Sequence, residues 1–152
     1  MSSPETAPDT PIHALAEFRY TLRRFLHFSE EAATAAGVAP QQHQLLLQIA
    51  GAPAHALTSV GYLAERLALR HHSVVELCNR CEQAGLILRK QDPTNRRTVV
   101  LKLTAEGNRV LRRLSADHAR ELNEFGPKLA LALQAITRLN QKNNQQLAKG
   151  TK

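Results

Sequence analysis

Apolar residues in the first third of the chain recur at steps of three and four, which is the spacing of one face of an α-helix. The first such run extends from about residue 11 to residue 35. Its apolar positions are Ile12, Leu15, Phe18, Leu22, Phe25 and Leu26. Gly37 is placed to end this helix, and Pro40 is placed to begin a second one that runs to about residue 50. The pattern therefore predicts two amphipathic helices before a loop at 51–57.

Two shorter helices are predicted next. Thr58 or Ser59 can cap a third helix at about 59–67, in which Val60, Leu63 and Leu67 face inward. A fourth helix begins near His71 and ends at Gly85. Two short helices joined by a few residues, with basic residues at the start of the second, indicate a helix-turn-helix.

Two strands follow, at 86–91 and 98–103. Alternation along the second strand predicts Val99, Leu101 and Leu103 on one face, with Thr98, Val100 and Lys102 on the other. The connection at 92–97 begins with Asp92-Pro93, which suits the first two positions of a type I turn. The pattern predicts a β-hairpin with a polar, basic tip.

The last part of the chain is again helical in pattern. Thr104 can cap a long helix that extends to about residue 125, and Gly126-Pro127 is expected to break it. A final helix is predicted at about 127–146, with four residues buried. These are Leu129, Leu133, Ile136 and Leu139.

The length of 152 residues and an apolar content of 43% suit one domain with a hydrophobic core. No apolar run approaches the eighteen or so residues of a membrane span, so no membrane partner is expected. Residues 1–11 lack the apolar segment of a signal peptide, which predicts a disordered tail and a cytoplasmic protein. Residues 147–152 are expected to form a frayed tail.

Positive charge is concentrated in the middle of the chain. Residues 58–113 hold eleven Lys or Arg and five Asp or Glu, a net charge of +6, whereas the whole chain has a net charge of +7. Residues 1–57 have a net charge of −2. A basic region on one part of a protein is typical of nucleic-acid binding.

The hairpin segment closely resembles the MarR family of winged helix-turn-helix regulators. The resemblance lies in GLILRKQDPTNRRTVVLKLTAEG at 85–107, and in the two helices upstream, LTSVGYLAERLALRHHSVVELCNRCEQAGL. It covers about 12–146 and is specific at 58–107. It implies a mainly α fold with a small β-hairpin. A winged helix-turn-helix at about 51–104 would lie between dimerisation helices at about 12–35 and 105–146.

Double-stranded DNA is the partner that the residues and the resemblance both indicate. A recognition helix reads the major groove with its N-terminal turn, and a long Arg at a hairpin tip can enter the minor groove. By position in the family, Arg97 would enter the minor groove and Arg96 would contact phosphate. The expected DNA-binding residues are Arg70, His71, His72, Ser73, Asn79, Arg80, Arg89, Lys90, Arg96 and Arg97. Asn95 stands where the family usually has an Asp that orients the wing by pairing with basic neighbours.

The resemblance also implies a homodimer that binds a pseudo-palindromic operator, acts as a repressor, and responds to a small aromatic or anionic effector. The effector would bind between the dimer helices and the winged segment. The residues available there are Arg19, Tyr20, His27 and His43.

Two alternatives remain at this level. Cys78 and Cys81 form a CxxC pattern, which raises the possibility of a metal- or redox-sensing regulator. Both lie at apolar positions of a helix, however, and no further zinc ligands are placed beside them, so no metal or cofactor is expected. The other alternative is a winged-helix adaptor that binds protein and no DNA. No constellation of catalytic residues is present, so an enzyme is not expected.

Overall fold

Helix α1 spans Pro11–Ala35 in the computed structural model of the protein, which describes the backbone of residues 11–149 and the side chains of residues 11–142. Gly37, with φ of 78°, ends α1 in a left-handed conformation that glycine adopts without a Cβ clash. Most of the predicted N-terminal tail, residues 1–10, lies outside the described residues, and Pro11 is already helical.

Helix α2 spans Pro40–Ala50, with proline in its first turn as predicted. The side-chain oxygen of Gln42 accepts a hydrogen bond of 3.0 Å from the backbone N–H of Ala39 and so satisfies one donor at the helix start. Leu45, Leu46 and Ile49 are buried. The predicted second helix is therefore confirmed in its bounds.

Helices α3, Val60–Leu67, and α4, His71–Gln83, form the predicted helix pair. Ser59 caps α3, because its hydroxyl accepts a hydrogen bond of 3.2 Å from the N–H of Tyr62. Beyond α4, Gly85 adopts φ of 70° and turns the chain toward the hairpin.

Strands β1, Ile87–Gln91, and β2, Val99–Leu103, pair antiparallel, with Ile87 opposite Leu103 and Gln91 opposite Val99. The outer edge of β2 is partly paired as well. Leu101 N–H donates to the carbonyl of Thr58 at 2.9 Å, and the Thr58 hydroxyl donates to the carbonyl of Leu101 at 2.6 Å. These two hydrogen bonds fix the hairpin to Thr58, just before the start of α3.

Burial along β2 does not follow the two predicted faces. Leu101 is fully buried and Leu103 is half-buried, but Val99, on the same predicted face, is 43% exposed, and Val100, on the other face, is 6% exposed. Val99 lies at the tip end of the strand, opposite Gln91, and does not belong to the core cluster. Alternation identifies the two faces of a strand but not how far the core extends along it.

Helix α5 spans Ala105–Lys149 without a break, so the predicted division into two helices at Gly126-Pro127 is wrong. A proline inside a helix removes one hydrogen bond and crowds the preceding turn. Contacts on both sides hold the helix through this point. Lys128 Nζ lies 3.6 Å from the carboxylate of Glu124, and the buried ring of Phe125 has Lys128 Nζ at 5.8 Å and the Arg24 guanidinium at 5.5 Å from its centre. The predicted frayed tail begins inside α5, and residues 150–152 lie outside the described part.

The first turn of α5 packs tightly against Gly85 and Leu86, which follow α4. The Thr104 hydroxyl accepts the N–H of Gly107 at 3.0 Å, as predicted for a cap, and donates to the carbonyl of Gly85 at 2.6 Å. A Cβ atom at Gly107 would lie 2.0 Å from the carbonyl oxygen of Leu86, so only glycine fits there. The base of the hairpin is thereby fixed to α5.

The chain divides into two compact units, each with parts of α1 and α5. The central unit, residues 29–118, contains α2, α3, α4 and the hairpin around one core. Its largest fully buried side chains are Leu45, Leu46, Leu63, Leu77, Ile87, Leu101 and Leu114.

The terminal unit consists of residues 1–28 and 119–152. Several of its apolar side chains are exposed: Ile12 at 81%, Leu15 at 49%, Leu131 at 67% and Leu133 at 51%. Of the four residues predicted to be buried near the end of the chain, Leu133 is exposed, and the other three are half-buried within this chain: Leu129, Ile136 and Leu139. Along residues 11–149, neither α1 nor α5 has an apolar stretch sufficient to cross a lipid bilayer.

Candidate nucleic-acid interface

A tight turn fixes α4 relative to α3. Ala68 adopts a left-handed φ of 52°, and the N–H of Leu69 donates to the carbonyl of Ala64 at 3.0 Å. Leu63 of α3 and Val74 of α4 are both fully buried in the central core. Since both helices are anchored by their inner faces, the outer face of α4 is presented in one defined orientation.

The N-terminal turn of α4 faces solvent and carries positive charge. Arg70 occupies the N-cap position but makes no capping hydrogen bond with its side chain, and the first turn contains no acidic residue. Arg70, His71 and His72 are exposed, and Ser73 is half-buried. The positive end of the helix dipole is thus open to an external anion, with an Arg and two imidazoles beside it.

Further along α4, inner and outer faces have opposite character. Asn79 and Arg80 are exposed, whereas Cys78 and Cys81 have no exposed surface. The sequence-predicted contacts on α4 therefore share one outward face, which runs from the N-terminal turn to Arg80.

The tip of the hairpin is held by hydrogen bonds among its own residues. The carboxylate of Asp92, which is 5% exposed, accepts the backbone N–H of Thr94 at 3.1 Å and its hydroxyl at 3.0 Å. The Asp92 N–H donates to the carbonyl of Thr98 at 2.8 Å. Local bonds of this kind keep a short turn in a single conformation.

Asn95 takes part in this arrangement without a charge. Its side-chain oxygen accepts the backbone N–H of Arg97 at 3.2 Å, and its carbonyl accepts the N–H of Thr98 at 2.8 Å. Arg96 and Arg97 are exposed at the end of this turn. The neutral amide therefore orders the backbone of Arg97, while the guanidinium groups extend into solvent.

The two basic residues of β1 differ in their surroundings. Lys90 is exposed, whereas Arg89 is half-buried and faces α4. The Arg89 guanidinium donates to Asn79 Oδ1 at 2.7 Å and forms an ion pair with the carboxylate of Glu82. Glu82 was not identified from the sequence, because its partner lies on another element.

The two cysteines are free thiols in an environment that disfavours the thiolate. Burial raises the pKa of Cys78, which Arg89 opposes and Glu82 reinforces, and burial together with Cys78 raises the pKa of Cys81 to about 12. Reactive cysteines have lowered pKa values. Among the described residues, no three His, Cys, Asp or Glu side chains come together in a way that could hold a metal ion.

The four candidate effector residues have different environments. Arg19, Tyr20 and His27 occupy exposed positions of α1 in the terminal unit. His43 lies in the central unit, is 3% exposed, and contacts the ring of His118 with centroids 5.0 Å apart.

His118 in turn lies 2.7 Å from the Ser29 hydroxyl through its Nε2 atom. Burial, and secondly the charge of His118, lower the pKa of His43. His118 and Ser29 were not identified from the sequence, since nothing local marks two imidazoles 75 positions apart as neighbours.

Comparison with known proteins gives consistent results. A sequence model described as MarR family matches residues 36–98. A protein of Thauera aromatica, assigned as a transcriptional regulatory protein for the hcr operon, is 31% identical over 119 residues. That match covers 75% of this chain and 70% of the relative.

Solved structures with the same fold include a variant of MepR from S. aureus bound to an oligodeoxyribonucleotide. Its TM-score is 0.59 at 19% identity, over 87% of this chain and 91% of that one. CouR from Rhodococcus jostii RHA1, bound to p-coumaroyl-CoA, has a TM-score of 0.57 at 18% identity. In that case 88% of each chain is covered. At these identities the structures show the fold.

Proposed function

Because the chain belongs to the MarR family of DNA-binding transcriptional regulators, we propose that it is a homodimeric repressor that binds a pseudo-palindromic operator and releases it on binding an effector. Members of this family regulate transcription and are not enzymes. The observation that carries the proposal is the N-terminal turn of α4, which is exposed, basic, free of acidic residues and uncapped by the side chain of Arg70.

In the proposed complex, α4 enters the major groove. Arg70, His71, His72 and Ser73 would face base edges, because side chains of the first turn reach deepest into the groove. Asn79 and Arg80 would lie over flanking bases or backbone.

The hairpin would contact the neighbouring minor groove. Arg97 would enter the groove, where a narrow A·T-rich segment has strong negative potential, and Arg96 and Lys90 would contact phosphates. The hydrogen-bonded tip supports this assignment, since an ordered turn loses little conformational entropy when its arginines bind. Arg89 lies at the same surface.

The proposed dimer would use the terminal unit. Ile12, Leu15, Leu131 and Leu133 are apolar and exposed in the single chain, and an apolar surface of this kind marks an interaction site. A cleft of about 430 Å³ between α1 and α5 of this unit is lined by residues such as Ala14, Leu131 and Leu139. A second copy would bury this surface and place two recognition helices on two half-sites.

For the effector we propose a small aromatic or anionic molecule, with Arg19, Tyr20 and His27 of the terminal unit as contacts. His43 is 3% exposed and packs against His118, so it is not part of this site. Arg19 offers a guanidinium and Tyr20, which is 56% exposed, offers a ring. CouR with its bound p-coumaroyl-CoA is a relative in fold that holds an aromatic acyl thioester. An effector that binds the DNA-incompetent conformation more tightly would shift the population away from the operator. The regulator would act in the cytoplasm.

Selection of binding sites from genomic DNA with the purified protein tests the proposal. We expect enriched sites with two-fold symmetry and half-sites about one helical turn apart. Enrichment of single half-sites would contradict the dimer. A protein that enriches no sequence and binds no duplex would contradict DNA binding and favour a protein-binding adaptor.

The proposed contact of Arg97 with DNA is tested by measuring how the Arg97→Ala variant binds one of the enriched sites across a salt series. Loss of one charge contact should reduce the slope of log affinity against log salt by about 0.9. Arg138→Ala, at an exposed position near the other end of α5, is the matched control and should leave the slope unchanged. Equal slopes for the wild type and Arg97→Ala would exclude Arg97 from the DNA interface.

A further inference from the structure

Arg89 connects the hairpin to the outer face of α4. Its Nη2 atom donates to Asn79 Oδ1 at 2.7 Å, and its Nη1 atom donates to the carboxylate of Glu82. We propose that Arg89 is a positioning residue, which orients Asn79 for base recognition through this contact and does not itself bind phosphate. The inference rests on the proposed DNA-binding function and assigns a specificity role within it.

The contact uses the shape of the guanidinium. Asn79 and Glu82 are three positions apart on α4, so their side chains emerge on the same face of the helix. Two terminal nitrogens of one planar, rigid group engage both of them at once. The wing and the recognition helix are therefore joined by side chains at the surface, where the Arg89 side chain is only 30% exposed.

The ion pair changes the electrostatic role of Arg89. Glu82 is a carboxylate on the helix that would enter the groove, and an isolated carboxylate there would repel phosphate. Since Arg89 is paired with Glu82, the two together add no net charge to the interface. Arg89 would then displace no counterion from DNA, unlike a lysine or arginine that binds a phosphate.

The contact also determines which groups Asn79 can offer. Arginine has donors and no acceptor, so the amide atom that faces it must be the oxygen. The Asn79 oxygen is thus engaged, and its NH₂ group remains available. The bidentate reading of adenine requires the amide oxygen to accept from N6 while the nitrogen donates to N7. The Asn79 oxygen keeps a second lone pair beside its bond to Arg89, so the oriented amide can read adenine in this way, or its NH₂ group can donate to an acceptor such as guanine N7 or O6.

The test compares variants of the full chain on a selected operator and on random duplex across a salt series. The main variant is Glu82→Gln/Arg89→Gln, which removes the ion pair at constant net charge. It should reduce the ratio of specific to random affinity by about tenfold, in the lower range for one base contact, and leave the salt slope unchanged. Added to Asn79→Ala, the same double substitution should cause no further loss of the ratio.

Arg96→Ala is the matched control for a phosphate contact, and should lower the slope by about 0.9 with little change in the ratio. Arg89→Lys is a second variant, which keeps the positive charge but loses the planar guanidinium that contacts Asn79 and Glu82 together. It should lower the ratio of specific to random affinity and leave the salt slope unchanged. Thermal unfolding of each variant checks that it is folded.

Three outcomes would overturn the inference. The charge-matched variant could lower the slope by about 0.9 with the ratio intact, which would mean that Arg89 binds phosphate. It could change neither the salt slope nor the ratio of specific to random affinity. It could also lower that ratio as much in the Asn79→Ala background as in the wild type. A wild-type protein that binds no duplex would overturn the proposed function, and the inference with it.

Discussion

Gly107 offers the sharpest test of how the hairpin is fixed to α5. A methyl group at this position would lie 2.0 Å from the carbonyl oxygen of Leu86 and 3.0 Å from its carbonyl carbon. Carbon and oxygen in ordinary contact are about 3.3 Å or more apart. The Gly107→Ala substitution therefore requires α5 and the backbone at Leu86 to separate by about 1.3 Å.

Two opposing terms set the expected magnitude. Alanine in place of glycine inside a helix gains about 0.5–1 kcal/mol in conformational free energy. Overpacking against a backbone atom costs about 1–3 kcal/mol, and the hydrogen bonds from Thr104 to Gly85 and from Gly107 to Thr104 are worth about 1 kcal/mol each where they are lost. We expect a net loss of about 2 kcal/mol in the free energy of unfolding, or a fall in Tm of about 4–8 °C.

Urea unfolding followed by circular dichroism, at equal protein concentration for every variant, measures this change. The control is Gly61→Ala in α3, where the nearest atom to the new methyl would be Ser59 Oγ at 3.8 Å. That variant should be equally stable or up to about 1 kcal/mol more stable than the wild type. A Gly107→Ala variant as stable as the Gly61→Ala variant would refute the close approach of α5 to Leu86.

Three further predictions concern other parts of the molecule. The pKa of His43 is lowered from its ordinary 6.5 in the folded state, so the unfolded chain takes up the proton first as the pH falls. The free energy of unfolding should therefore be highest above pH 7 and should decrease as the pH drops below 6.5. The His43→Phe variant should lose most of that dependence in urea unfolding between pH 5 and 7, and an identical profile would contradict it. Cys78 and Cys81 should react with Ellman's reagent at pH 8 at least about a hundredfold more slowly in the native protein than in denaturant. Both side chains are buried, and the pKa of Cys81 is raised to about 12. Equal rates in the native protein and in denaturant would show that the thiols are accessible. Asn95→Asp should weaken operator binding several-fold at unchanged Tm, since it adds a negative charge near phosphate, and tighter binding would show that the wing gains more from an Asp–Arg pair than it loses by repulsion.

Local sequence signals predicted most of the fold because they act within a few residues. Thr104 caps α5 as expected, Ser59 is the one of the two candidate residues that caps α3, and Gly85 adopts the left-handed conformation expected after α4. Each of these roles depends on the hydrogen-bonding or steric properties of one residue beside its own helix end. Such signals do not require knowledge of the rest of the chain.

The features that the sequence did not predict depend on distant partners. Pro127 has the local character of a helix breaker, but α5 continues through it, beside Phe125, whose ring lies against Arg24 of α1. The DNA-binding prediction for Arg89 treated it as a free cation, whereas the structure places it against Asn79 and Glu82. A basic residue in a pattern gives its charge but not its partner.

The bonds between Thr58 and Leu101 have a consequence for solubility. A two-stranded sheet has two open edges, and an open edge is a template on which another chain can add a strand and begin to aggregate. Thr58 occupies the middle of the β2 edge with both its carbonyl and its hydroxyl. On the other strand, the exposed charge of Lys90 discourages addition. The hairpin can therefore project from the surface, as binding to a groove requires, without acting as a seed for its own polymerisation.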